Sequence, residues 1–92
     1  MFIGYLKINI FIPHSRSLKM KRQIIERIKN KVRNNFNVSI AERPSDKWQI
    51  CELSFVCVNY TKRCIHKTMQ CVEEFVRFNN EVNILNVEKE II

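Results

Sequence analysis

Three sets of residues in this chain are of types that could do chemistry. The first is a dense run of cations. Between Ser15 and Arg33 lie eight of the sixteen basic residues and a single acid, Glu26. The second is a group of four cysteines, Cys51, Cys57, Cys64 and Cys71, with two histidines, His14 and His66. The third is the lone tryptophan, Trp48.

The cationic run has the strongest chemical meaning. A docked helix needs only part of its surface for the core, and here the rest is filled almost entirely with one sign of charge. That arrangement repels itself unless a polyanion neutralises it. Arg16, Lys19, Lys21, Arg22, Lys29 and Arg33 are the expected contacts to a nucleic-acid backbone, which would give affinity without sequence choice. His14, Ser15 and Ser17, in the loop ahead of the helix, are the expected anion-binding loop. A helix start presents free N–H groups and a partial positive charge, so cations gathered there make sense if an anion is held. The bland alternative is a solubility face, which would usually mix in acids.

The cysteines support little. No CxxC pair exists, and the spacing of six or seven residues matches no zinc ligand pattern. Cys64 and His66 point to nearly opposite sides of a helix. Four reduced, buried thiols are expected, with Cys51 and Cys57 on the core face of a strand and Cys64 and Cys71 on the core face of a helix. No metal and no cofactor are expected. No Ser-His-Asp or Cys-His set falls in one cleft, and a phosphate cradle of the acylphosphatase kind needs more than the one glycine, Gly4. The chain therefore reads as a non-enzyme. Base stacking on the sheet is not expected, because the RNP1 pattern is absent. Trp48 is expected to pack at a strand end.

Composition sets the frame for these groups. Ninety-two residues, 46% hydrophobic, with one Gly and two Pro, suit one compact domain over 1–92. No signal peptide or membrane span is recognisable, which suits a cytoplasmic protein. The net charge of +7 is uneven. Residues 1–50 carry 11 basic and 3 acidic residues, hence +8; residues 51–92 carry 5 and 6, hence −1. Such asymmetry favours a polyanionic partner.

Hydrophobic period places the elements. Phe2 to Ile12 alternates and ends at Pro13, which reads as a strand. Ser17 is a natural N-cap. Leu18, Ile24, Ile25, Ile28 and Val32 share one arc of a helix, opposite Lys19, Arg22, Glu26, Lys29 and Arg33, and Asn34-Asn35 closes it. Phe36 to Arg43 is a second strand. After the turn Pro44 to Lys47, Trp48 to Val58 is a third. A second helix, running to about Asn79, buries Ile65, Met69, Val72, Phe75 and Val76, and Val82 to Ile91 is the last strand. The order β-α-β-β-α-β predicts an α+β, ferredoxin-like sandwich: a four-stranded antiparallel sheet with two helices on one face. The outer sheet face should be apolar at its ends and polar in its middle. It could pair two copies, so the protein is read as a monomer or weak homodimer.

Several segments together resemble the YlxP family of small bacterial proteins. They are Phe2-Ile3-Gly4, Ser17-Leu18-Lys19-Met20-Lys21-Arg22, Phe36-Asn37-Val38-Ser39-Ile40-Ala41-Glu42, Trp48-Gln49 and the closing Val87 to Ile92. The resemblance spans essentially the whole chain. It implies a ferredoxin-like fold. It also implies a gene set beside those for translation initiation and ribosome-binding factors, and so a part in 30S subunit maturation. It carries no catalytic residues. The loop Pro13-His14-Ser15-Arg16 departs from the family, whose loop usually reads with a Gly or Ala after the proline. The expected function is thus a small RNA-binding, ribosome-associated protein whose partner is RNA, ribosomal RNA or the 30S subunit in particular. The alternatives are a protein–protein adaptor using the open sheet face and, less favoured, a small phosphate-handling enzyme.

Overall fold

Alternating apolar residues and two amphipathic helices assemble as the period dictates. The computed structural model describes all 92 residues, in the order β1 (Phe2–Phe11), α1 (Leu18–Asn35), β2 (Ser39–Glu42), β3 (Ile50–Asn59), α2 (Lys62–Arg77) and β4 (Asn83–Ile91). One sheet runs β2-β3-β1-β4, antiparallel at every pairing. Both helices lie on one face, the ferredoxin-like arrangement.

Strand alternation sends Leu6, Ile8 and Ile10 of β1 and Cys51, Leu53, Phe55 and Cys57 of β3 inward. They meet Ile24, Ile25, Ile28 and Val32 of α1 and Ile65, Met69, Val72 and Val76 of α2. Gly4 marks the closest approach of β1 to α2. A Cβ there would lie 2.5 Å from Ile65 Cγ2 and 2.9 Å from Cys57 Sγ. Both helices start on a hydroxyl cap: Ser17 Oγ accepts from Met20 N, and Thr61 Oγ1 accepts from Cys64 N.

Three boundaries differ from expectation. β2 is shorter than Phe36 to Arg43, because Phe36 closes α1 through its N–H to Val32 O and stacks edge-on against Phe75 at 6.0 Å. β3 begins at Ile50, so Trp48 and Gln49 precede the ladder. α2 ends at Arg77, ahead of Asn79.

The outer sheet face carries Tyr5, Lys7 and Asn9 of β1 opposite Val56, Ser54 and Glu52 of β3. The middle of that face is polar and internally satisfied. Tyr5 Oη and Ser54 Oγ share a hydrogen bond at 3.1 Å, and Lys7 pairs with Glu88 at 2.7 Å. Ile3 and Val58 are exposed at one end, and Ile50 at the other.

Candidate functional site

The first helix holds five of the six nominated cations, and the fold sorts them. Lys19, Arg22 and Arg33 are exposed on one flank, and Arg16 is exposed in the loop before them. None of the four takes part in an ion pair. Elsewhere Lys7, Arg27, Lys29, Arg77 and Lys89 each meet a carboxylate within 3.3 Å, whereas Lys31, Lys47, Lys62, Arg63 and Lys67 are exposed and unpaired.

Lys29 and Lys21 depart from their expected role. Lys29 turns toward the sheet. Its Nζ is 3.0 Å from Glu26 and 3.3 Å from Glu42, and only 13% of its side chain is exposed. Burial works against the Lys29 charge, but the two carboxylates outweigh it and hold its pKa above the ordinary value. A phosphate would have to displace both. The cationic stripe is therefore interrupted in its middle.

Lys21 is not a surface cation at all. It is 2% exposed, and its Nζ donates to Lys47 O at 2.7 Å. The cause is geometric. Lys21 stands four, seven and eleven residues before Ile25, Ile28 and Val32, so the helical period sets it inside the apolar arc. The stem fills core space, while the ammonium ties α1 to the turn between β2 and β3. Sequence reasoning weighed its charge over its position; the spacing was the available signal.

The proposed anion-binding loop is also turned inward. Ser15 is 1% exposed; its N–H donates to Ile12 O, and its Oγ donates to Ser17 O at 3.2 Å. Ser17 Oγ is occupied as the α1 cap. Of the three nominated loop residues only His14 is exposed. The two serines shape the helix entry instead of presenting donors to a ligand.

The turn that Lys21 holds carries a residue the sequence reading misplaced. Trp48 is 54% exposed, not packed at a strand end. Its neighbours are pinned: Ile12 N donates to Gln49 O at 2.7 Å, and Gln49 Nε2 donates to Pro13 O at 3.1 Å. The exposed Arg16, Lys19 and Arg22 and the exposed Lys47 and Trp48 therefore gather at one end of the molecule. That end is where β1 leaves the sheet and α1 begins.

The thiols divide as well. Cys51 and Cys57 are buried, as expected. Burial, and then the Glu42 carboxylate, push the Cys51 thiol up to about 12, and burial raises Cys57 too. Cys64 is exposed and Cys71 half-buried, against expectation. They do share a helix side, but that side lies about 110–130° from the centre of the buried arc through Ile65, Met69, Val72 and Val76. No group of three or more His, Cys, Asp or Glu residues is placed to hold a metal ion. No helix is long and apolar enough to cross a membrane.

Known proteins resemble this arrangement in sequence and in shape. The uncharacterized protein YlxP of Bacillus subtilis (strain 168) is 35% identical over 75 residues, which cover 80% of this chain and 82% of that one. The de novo designed protein Foldit4 superposes with a TM-score of 0.53, covering 98% of this chain and 96% of its own at 14% identity, a likeness of fold alone. Residues 3–89 match the family described as protein of unknown function DUF503. The chain is therefore a member of the DUF503 family, the family of YlxP.

Proposed function

We propose that this protein binds structured RNA through the exposed end of α1, and that its RNA is ribosomal, met during maturation of the 30S subunit. One observation carries the reading. Arg16, Lys19, Arg22 and Arg33 stay exposed and without acid partners along one flank of α1 and the loop before it. Free cations on one flank cost self-repulsion, which a phosphate backbone relieves. The ribosomal setting follows from the family resemblance alone.

Arg16, Lys19 and Arg22 form the main contact, with Lys47 beside them across the Lys21 bond. Lys19 and Arg33 are about 21 Å apart along the helix axis at 1.5 Å per residue. A bound RNA stem can therefore meet both ends of α1 while passing over the neutralised middle. Contacts of this kind read the shape and backbone of an A-form helix, not its sequence.

The test is a titration of a labelled RNA hairpin by fluorescence anisotropy over a range of salt. Four neutralised phosphates predict a log–log slope of about −3 to −4. Co-sedimentation with 30S precursors at two salt concentrations then asks whether the ribosomal particle is a target. Binding that ignores salt, or no binding at low salt, refutes the RNA reading.

A further inference from the structure

The geometry points to Trp48 as a stacking platform for one unpaired nucleobase, so that the RNA recognised is a stem carrying an unpaired nucleotide, not a uniform duplex. This rests on the RNA reading above and narrows its substrate.

Trp48 combines exposure with a fixed backbone. The indole is 54% exposed. On one side, Lys47 O is held by the buried ammonium of Lys21 at 2.7 Å; on the other, Gln49 O is held by Ile12 N at 2.7 Å. The Gln49 side chain adds a third anchor, on Pro13 O. A scattered exposed apolar residue is ordinary. An exposed indole on a backbone tied at both neighbours, one tie being a buried charge, is pre-organised for contact, which lowers the ordering cost of binding.

The surroundings choose the occupant. Trp48 lines a shallow groove with Phe11 and Ile50, which face each other across β1 and β3, and with Lys47. The apolar part is small. The adjoining groove shares Lys47 and Ile50, and its other walls are Asn9, Arg43, Pro44, Ser45 and Glu52. An apolar spot bounded so closely by polar groups falls well short of the roughly 800 Å² per partner of a standard protein interface. It suits one flat ring with a polar, charged backbone beside it.

Charge agrees with this. Lys47 has no ion-pair partner, and Arg16, Lys19 and Arg22 lie at the same end of the molecule, on the helix side of the sheet, while Phe11 and Ile50 face the other side. Of the nearby acids, Glu52 is engaged by Arg43 at 3.7 Å, and Asp46 lies in the exposed turn. A base stacked on the indole would place its phosphate toward Lys47 and its stem toward α1. Every nucleobase offers a π-face, so the contact would be tolerant of sequence.

The experiment uses the full chain and its single tryptophan as reporter. Two RNAs are compared, a hairpin with an unpaired loop and a blunt duplex with the same number of phosphates. The proteins are wild type, Trp48→Ala and Trp48→Phe, each checked for fold by circular dichroism. The loop RNA should quench Trp48 emission, and the duplex should bind without quenching. Trp48→Ala should weaken loop binding roughly 5- to 100-fold and leave duplex binding unchanged, whereas Trp48→Phe should retain most of the affinity. Loop RNA that binds Trp48→Ala as tightly as wild type, with emission unquenched, overturns the platform and leaves the RNA reading standing. A dimer seen by sedimentation for wild type and lost in Trp48→Ala also overturns it, by assigning the patch to a second copy. Failure of wild type to bind either RNA at low salt removes both.

Discussion

Lys21 illustrates how position can outweigh chemical type. A lysine in a basic run invites a phosphate partner, yet this one is enclosed and donates to Lys47 O. Its role is to hold the turn that carries Trp48. Lys21→Met keeps most of the buried stem and removes the donor. The protein should fold, with a stability change of no more than about 1–2 kcal/mol, since lost hydrogen bonding is partly offset by an apolar side chain in an apolar arc. The released turn should let the indole move, read as faster depolarisation of Trp48 fluorescence. Unchanged depolarisation would show that the Lys21 bond does not hold the turn. The thiols give a second test at this scale. Cys51 and Cys57 are buried with raised pKa values, so neither offers thiolate near pH 8. Cys64 is exposed. A thiol reagent added to native protein should label Cys64 rapidly and Cys51 and Cys57 only on unfolding. Four fast thiols would contradict the core assigned to β3.

At the scale of elements, β1 and α2 meet at Gly4. An added Cβ would press on Ile65 and Cys57, both parts of the core. Gly4→Ala should cost about 1–3 kcal/mol through overpacking, measured by denaturant unfolding. A neutral result would mean that α2 can shift away without loss. α2 is fixed to β4 by Glu73, which lies 2.7 Å from Lys89 and 2.8 Å from Arg77. Hydrogen bonds from Lys89 and then Arg77 hold the Glu73 carboxyl below its ordinary value of 4.5. A depressed folded pKa adds stability above the unfolded value and loses it as pH falls through the folded one. Glu73→Gln should therefore be less stable than wild type at pH 7, by up to about 1 kcal/mol, with the gap closing on acidification. A gap that persists at pH 2 would point to packing and not to charge.

The same elements show what was legible in the residue pattern. The long strands and both helices were, because each has one buried face and a clean period of two or 3.6. β2 and the start of β3 were less so. Phe36 and Trp48 are strand-type residues, but one closes a helix, bonding back to Val32 O and stacking on the distant Phe75, and the other stands in a turn whose neighbours are held by bonds to Lys21 and Ile12. Four of the six nominated cations remain exposed, because charge predicts exposure well. Lys21 sits inside the apolar arc by its own spacing, so its burial was legible, whereas the turn of Lys29 toward the sheet depends on Glu42, which is distant in sequence. The indole was misplaced for the same reason.

For the whole molecule, the uneven charge resolves into two ends. Antiparallel packing sets Arg16, Lys19, Arg22 and Lys47 where α1 begins, and Lys62 and Arg63 where α2 begins, at the opposite end of the sheet. Both groups are exposed. Charge count alone does not choose between them. Surroundings do: the first end carries an anchored indole and a polar groove, while Lys62 is already 5.4 Å over the Phe2 ring. Charge reversal separates the two. Lys19→Glu with Arg22→Glu should abolish hairpin binding, because it removes two cations and adds two repelling charges at the contact. Lys62→Glu with Arg63→Glu changes net charge by the same four units and should weaken binding only by the general field, a few-fold at 0.15 M salt, where the screening length is about 8 Å. Both double variants should keep the wild-type unfolding midpoint closely, since exposed substitutions typically cost within about ±0.5 kcal/mol each. Equal losses from the two variants would mean that net charge, and not the α1 entry, governs the interaction. A Lys19, Arg22 variant that fails to fold would make those residues structural and remove the proposed interface.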